Sequence, residues 1–320
     1  MLRLKKYVGY SIVILLVNLV LFLILLLYTP FFSNAKKVYV ESAMATANHQ
    51  WLAIAFLSDE RIKNISSKGN STSLSKSNSN TVDIPKEDDN TIDYFNITST
   101  RYIGHGLVIH NPKRVKMVSS ENNNIGGQYL EEIIKKNNAI CGVNGGGFSR
   151  DNEHGINTPV GILMSSGKLI YPSSENTSCL DNLHVGAIDK NGLLMVGNYK
   201  LDELKKLNVQ EAISFGPVLI KNGKPLPIEY NIMWGGDSSM SQRTLLGQRQ
   251  DGSIILVVTE GIIHRRIATS LNEAQQFMLD LGAINAINLD GGNSVVMYND
   301  GKLVNKSSTR NILSSAIIVK

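Results

Sequence analysis

Cysteine is almost absent from this chain. Its 320 residues carry two, Cys141 and Cys179. One disulfide is the most they can form, so a disulfide scaffold is excluded and the fold must rest on its hydrophobic core. Two cysteines in a domain of this size more often stay unpaired. Metal-ligand spacing is missing as well. His105, His110, His154, His184 and His264 are dispersed without a ligand pattern, so no metal-ligand set and no cofactor is predicted from them, and the sequence leaves metal dependence open. No Gly-x-Ser-x-Gly elbow occurs, which argues against a serine hydrolase. No glycine loop ends in Gly-Lys-Ser/Thr, and no Gly-x-Gly-x-x-Gly opens a helix, so phosphate-loop and dinucleotide sites are excluded. The formal net charge is +5, and the basic residues are scattered rather than gathered in a stripe. Nucleic acid is therefore not an expected partner. The densest basic cluster, Lys113-Arg114-Val115-Lys116, suits a solvated strand edge.

What is present begins with one apolar run. Hydrophobic residues make up 42% of the chain and charged ones 18%, enough for a large core. From Val8 to Tyr28 the sequence is nearly all apolar, with Asn18 its one strongly polar member. That length spans a bilayer. Arg3, Lys5 and Lys6 precede it, so the positive-inside rule places residues 1–7 in the cytoplasm and the rest outside. A cleaved signal peptide is the rival reading, with Ser33-Asn34-Ala35 as its cleavage motif. The run exceeds an ordinary signal core, which favours an uncleaved, single-pass anchor at residues 8–28. The richness in Lys, Asn, Ile and Ser looks bacterial, and glycosylation motifs at Asn96 and Asn176 matter only in a eukaryotic secretory pathway.

Beyond the anchor, residues 36–65 lack Gly and Pro and repeat apolar residues at helical spacing. They predict a helix serving as a stalk or a self-association segment. Residues 66–90 are polar and low in complexity, the composition of a flexible linker. From residue 91 to 320 the pattern is short β-rich runs divided by turn signals. Leu107–Ser120 predicts two strands around Asn111-Pro112. Polar-Gly turns at Ser166-Gly167, Asn191-Gly192, Asn222-Gly223, Asp251-Gly252 and Asp300-Gly301 predict five hairpins. Helices are expected at 128–138, 201–207 and 271–281. The fold class is thus α+β: a mostly antiparallel, hairpin-rich sheet domain with a few flanking helices, behind an N-terminal transmembrane helix.

Chemistry concentrates in residues 271–305. Leu271, Ala274, Met278 and Leu281 form an apolar stripe, and Gly282 ends the helix. Ser270 with Glu273 reads as a capping box, which accounts for Glu273 without catalysis. Asp290 follows the apolar Ile287-Asn288-Leu289 and precedes Gly291 and Gly292. An Asp-Gly turn is the plain reading; a carboxylate presented to a ligand on a bare backbone is the functional one. A second glycine loop, Asn144-Gly145-Gly146-Gly147-Phe148, also ends an apolar strand and suits the wall of a site. Arg243 leads a strand, where it is either a surface residue or a bidentate phosphate clamp. Arg310 is a similar candidate.

Taken in order, these features resemble the phosphodiester glycosidase family. The order is Asn111-Pro112-x-x-Val115, Asn144-Gly145-Gly146 with Phe148, Phe215-Gly216-Pro217-Val218-Leu219, Arg243-Thr244-x-x-Gly247 and Leu271-x-Glu273. It continues through Leu281-Gly282-Ala283, Asn288-Leu289-Asp290-Gly291-Gly292, Val304-Asn305 and Arg310. The likeness covers residues 100 to 320. It implies hydrolysis of a sugar-1-phosphodiester, and hence a glycan or sugar-phosphodiester as partner. On that reading Asp290 is the leading catalytic carboxylate, as nucleophile or base, and Glu273 the second candidate. Arg243 and Arg310 would hold phosphate, while Asn144, Gly145, Gly146, Gly291, Gly292 and Asn305 would line the substrate site. There are three departures: Asn293 stands where the family often has a third glycine, Gly147 is inserted before Phe148, and the stapling cysteines of the animal enzyme are missing; the first two bear on substrate shape more than on fold. The expected function is a membrane-anchored, extracytoplasmic glycosidase acting on envelope glycans or exopolysaccharide. The alternative is a non-catalytic glycan-binding or scaffold protein in exopolysaccharide assembly.

Overall fold

The computed structural model describes residues 2–44, 50–66, 82–84, 89–120, 127–150, 157–172, 184–231, 233–262, 268–305 and 312–320. Within them the fold is α+β and rich in antiparallel sheet. All five predicted hairpins are formed. At Ser166-Gly167, Asn222-Gly223 and Asp300-Gly301 both turn residues have positive φ, the backbone twist that matches a right-handed pair of strands. Leu107–Ser120 holds two strand segments as expected. A short 3-10 turn, Pro112–Arg114, separates them, with the Asn111 side chain accepting from the Lys113 amide. The basic cluster opens Val115–Ser119, which lies at the edge of its sheet.

Three sheets enclose a common core. The largest runs, in spatial order, Ile92–Thr98, Tyr102–Ile109, Ile254–Gly261, Arg243–Arg249, Ala283–Asn288, Val218–Lys221 and Lys224–Pro225. A five-stranded sheet orders Leu194–Gly197, His184–Asp189, Val209–Phe215, Leu163–Ser165 and Lys168–Tyr171. Another orders Lys302–Leu303, Met297–Asn299, Cys141–Asn144, Ser315–Val319 and Val115–Ser119. Alternation along the strands divides each sheet into two faces. Ile254, Leu256 and Val258 enter the shared core with Val143, Ile213 and Ile317. Ile255 and Val257 face outward onto helix Leu271–Asp280, through Leu271, Ala274 and Met278. Helix Leu201–Lys206 backs the second sheet and helix Leu130–Lys136 the third in the same way. Each sheet therefore has one inner face and one helix-covered face, and the helices lie where the apolar stripes required them.

Cys141 is buried with a free thiol whose pKa burial pushes up to about 12, so it is a core residue without reactivity. Cys179 lies outside the described residues.

The segment preceding the sheets differs from expectation. The reading of 36–65 as one stalk helix is replaced by Ser33–Met44, Trp51–Ile54 and Asp59–Ser66. These pieces close a small apolar cluster of their own, with Val40, Ala43, Met44, Ala53, Leu57 and Ile62. They also pack back onto the domain. Glu41 and Ser42 accept from the backbone amides of Ser238 and Met240, at 3.0 and 2.9 Å. Lys37 pairs with Asp237 at 2.7 Å. The physical reason is the burial of these apolar side chains; Glu41 is buried along with them at a desolvation cost, which raises its pKa to about 7 and which Lys37 and the Ser238 amide partly offset. Part of the expected linker is docked too, since Val82 and Ile84 pack on the helix-covered face of the second sheet. Residues 67–81 and 85–88 lie outside the described residues. Among the described residues, one helical stretch, Tyr10–Tyr28, is long and apolar enough to cross a membrane.

Candidate active site

Asp290 leaves the end of strand Ala283–Asn288 on a loop held from two sides. The Leu289 amide donates to Thr244 O at 2.8 Å, and the Asp290 amide to Gly145 O at 3.3 Å. Asn144 Nδ2 donates to Asp290 O at 2.7 Å. The following amide, Gly292, is tied to Gln242 O at 3.0 Å. The carboxylate itself accepts from the Gly291 amide at 3.0 Å and from the Ser294 side chain. It is recessed, with part of the residue still reaching solvent. Burial raises its pKa to about 6, against the lowering effect of Ser294 and Gly291. No charged neighbour among the described residues contributes to that shift. Such a group is mostly ionised at neutral pH, by roughly ten to one, yet remains easy to protonate.

The neighbouring residues frame this loop. Asn144 is buried and spends its carbonyl on the Thr244 hydroxyl, at 2.6 Å, and the Val296 amide, at 3.2 Å. Asn305 bridges the Met297 amide and Val295 O at 2.8 and 3.0 Å. Gly145 and Gly146, which suit the wall of a site, are buried. A Cβ on Gly145 would meet Ser315 Oγ at 2.5 Å, and one on Gly146 would meet Ser214 O at 2.5 Å. The close approach is made by a neighbouring strand, not by a ligand. Gly291 has the same kind of restriction from Gln242 O, at 2.6 Å. Gly292 needs its glycine for a different reason, a φ of +59° with open space around it.

Arg243 is a correction. It is buried, not on the surface, with its guanidinium bonded within the fold. It is 3% exposed, and its guanidinium donates to Ser239 O at 2.6 Å, Ser239 Oγ at 2.9 Å, Trp234 O at 3.4 Å and Thr269 O at 3.5 Å. Four of its five N–H bonds are thereby committed to the loop and cap around it. Arg310 lies outside the described residues. Glu273 is the helix cap. Its Oε2 accepts from the Ser270 amide and hydroxyl at 2.9 and 3.1 Å, and Oε1 is taken by Arg101. The structure thus gathers Asn144, Gly145, Gly291 and Gly292 around Asp290, and gives Glu273, Arg243 and Asn305 other duties.

Three groups near this frame escaped the sequence reading. Ser294 steadies the Asp290 carboxylate from four residues on, a spacing the Asp-Gly-Gly-Asn-Ser run does contain. Asn288 is fully buried and donates to Gly216 O at 2.7 Å, while its Oδ1 lacks a donor among the described residues. His184 was set aside with the other dispersed histidines. Its Nδ1 accepts from the Val218 amide at 2.8 Å, its ring lies 5.2 Å from that of Trp234, and burial lowers its pKa to about 4. It is therefore neutral at pH 7 with its proton on Nε2.

The profile of the phosphodiester glycosidase family matches residues 137–320. The chain belongs to the phosphodiester glycosidase family. The match takes in the Asn144 and Asp290 loops and the strands that carry them. The solved catalytic domain of zebrafish N-acetylglucosamine-1-phosphodiester alpha-N-acetylglucosaminidase, auto-inhibited by its pro-peptide, shares the fold. Its TM-score is 0.59 at 20% identity, over 78% of this chain and 88% of that one. The SPbeta prophage-derived uncharacterized protein YomE of Bacillus subtilis (strain 168) is 24% identical over 178 residues, 55% of this chain. The matched region spans 27% of that relative's length.

Proposed function

We propose that this protein is a membrane-anchored, extracytoplasmic glycosidase that hydrolyses sugar-1-phosphodiester linkages in envelope glycans or exopolysaccharide. The observation that carries this reading is Asp290: a recessed carboxylate with a raised pKa, fixed by backbone on a glycine loop within the family's domain. In the reaction the C1–O bond breaks, the phosphomonoester leaves with the bridging oxygen, and water supplies the hydroxyl at C1. The leaving group is already anionic and stable, so little general-acid help is required. The demand falls on stabilising positive charge at C1 and on directing water or attacking directly. An ionised Asp290 can serve as nucleophile or base. The apolar helix at residues 8–28, with basic residues before it, supports an outward-facing domain on a single span.

A second reading is a glycan-binding or scaffold protein. The observation favouring it is that Glu273 and Arg243, the expected partners of Asp290, are committed to a helix cap and a backbone cage. Incubating the full chain in detergent with a synthetic glycosyl-1-phosphodiester separates the two. The glycosidase releases sugar and phosphomonoester, and the Asp290→Asn variant does not. No release by the wild type, with equal substrate binding by wild type and Asp290→Asn, would leave the scaffold reading in place.

A further inference from the structure

The apolar helix Leu2–Tyr28 does not end in a tether. Leu26 and Leu27 are buried, and Leu27 joins the cluster of Val40, Ala43, Met44, Ala53, Leu57 and Ile62. The Tyr28 hydroxyl donates to Phe56 O, and the Arg61 guanidinium sits 4.9 Å above the Tyr28 ring. Lys36 Nζ donates to Thr29 O at 2.8 Å. The last turn of the span is thus built into the helical layer formed by residues 33–66. That layer is in turn fixed to the domain through Lys37, Glu41 and Ser42. Among the described residues, the span therefore runs directly into a layer that is docked on the domain.

Large apolar side chains crowd this exit without cover. Phe31 is 85% exposed and Trp51 62%, and Phe32, Ile54 and Phe56 are exposed as well. Trp51 and Ile54 lie three apart on one helical turn and share a face. Phe32 turns back along the span: its ring centroid is 6.4 Å from that of Phe22. Phe22 is six residues before Tyr28, about 9 Å along the helix axis. Aromatic rings at the mouth of a span, with Lys36 and Arg61 among them, are the composition of a membrane interface.

We propose that Phe31, Phe32, Trp51, Ile54 and Phe56 form a seat embedded in the outer leaflet, which holds the domain directly on the bilayer surface instead of on a stalk. The occupant of this face is lipid, because the face is continuous with the span and shares its depth through Phe22 and Phe32. The proposal rests on the membrane-anchor reading above.

Tryptophan fluorescence tests it. The chain has two tryptophans; Trp234 is 4% exposed in the core, so a lipid quencher senses Trp51 alone. The full chain is reconstituted into phosphatidylcholine–phosphatidylglycerol vesicles, with or without bromine near the headgroup end of the acyl chains. The Trp51→Phe variant, an exposed and conservative change, supplies the Trp234 background. The Trp51 component is expected to lose most of its emission in brominated vesicles. Protein that floats with the vesicles yet keeps Trp51 emission overturns the seat while leaving the anchor intact. If that unquenched emission is also blue-shifted, a second copy covers the face instead. Protein that fails to float with the vesicles overturns the anchor and the seat together.

Discussion

The two glycine loops, Asn144–Gly147 and Asp290–Gly292, look alike as sequence and touch each other in space, yet glycine serves different ends in them. In the first, Gly145 and Gly146 are buried because strands Ser315–Val319 and Val209–Phe215 press against their Cα atoms. In the second, Gly291 is pressed by Gln242 O, but Gly292 meets nothing closer than Ser241 Oγ at 3.9 Å and is glycine for its positive φ. One loop is packed between sheets; the other carries a recessed carboxylate. A glycine run marks close approach or unusual backbone, and only the fold says which, and by what.

Substitutions can break this comparison. The largest effect is expected at the one group the second loop presents. Asp290→Asn keeps the shape and the acceptor for the Gly291 amide but removes the charge, and should lower kcat about 10³-fold, or roughly 4 kcal/mol of transition-state stabilisation. The rate of sugar release from a glycosyl-1-phosphodiester reads this. A loss under tenfold would remove Asp290 from the chemistry. Arg243→Met comes next. It takes the donor from the Ser239 carbonyl and one of two donors from those of Trp234 and Thr269, which keep Ser239 Oγ and the Ser241 amide, and should cost about 3 kcal/mol of stability by urea unfolding. If the folded variant instead shows normal stability and a raised KM, Arg243 is a phosphate ligand after all.

Gly146→Ala and Gly292→Ala test the glycines directly. At Gly146 the added methyl group would sit 2.5 Å from the Ser214 carbonyl oxygen and 3.1 Å from the Ile213 side chain; about 2–3 kcal/mol of stability should be lost. At Gly292 the cost is the left-handed conformation alone, about 1 kcal/mol. There the activity should fall more than the stability, because the loop bearing Asp290 shifts. Equal unfolding midpoints for the two variants would erase the distinction between the loops.

Local features of this molecule were legible and remote ones were not. The five hairpins follow from turn residues next to apolar runs, and the helix at 271–280 from its stripe, its capping box and Gly282. Each of these signals lies within a few residues of its effect. Arg243 reads as a strand-leading arginine because no residue pattern announces that the loop carbonyls of Ser239, four residues back, and Trp234 turn toward its guanidinium. Glu41 is a stronger case: its partner amide, Ser238, is 197 residues away. Helical periodicity located the 33–66 region but could not tell that it is folded against the domain. At the site, Asp290 and its glycines stood out, whereas the neutral His184 gave no sign apart from being a histidine.

The raised pKa of Asp290 yields a prediction that needs no substrate. A carboxyl held at about 6 in the folded state, against 3.8 ordinarily, binds its proton more tightly folded than unfolded. Its destabilising effect is therefore absent below the ordinary carboxylate range, grows as pH rises from about 4 to about 6, and is fully present at neutral pH. The full shift corresponds to at most about 3 kcal/mol; partial solvent access reduces this to roughly 1–2 kcal/mol. Asp290→Asn should thus be more stable than wild type at pH 7 and equal to it at pH 4, by urea midpoints at each pH. The gain would mark the second loop as a place where stability is given up for function, as the first loop is not. A variant less stable than wild type at both values would mean that the carboxylate is a structural part of its loop.

The smallest effect is expected at Glu273, the carboxylate that sequence placed beside Asp290 and structure placed at a helix end. Its oxygens satisfy Ser270 and Arg101. Glu273→Ala removes one half of a capping box and a partly exposed ion pair, for a loss of about 1 kcal/mol. As the helix rests on the outer face of the largest sheet, opposite the shared core, the loss should appear in the unfolding midpoint with kcat and its pH dependence unchanged. The measurement is decisive in the other direction too. A kcat fall of about 100-fold at unchanged stability would make Glu273 the second carboxylate of a catalytic pair. The two residues would then form one site instead of a catalytic loop and a neighbouring helix cap.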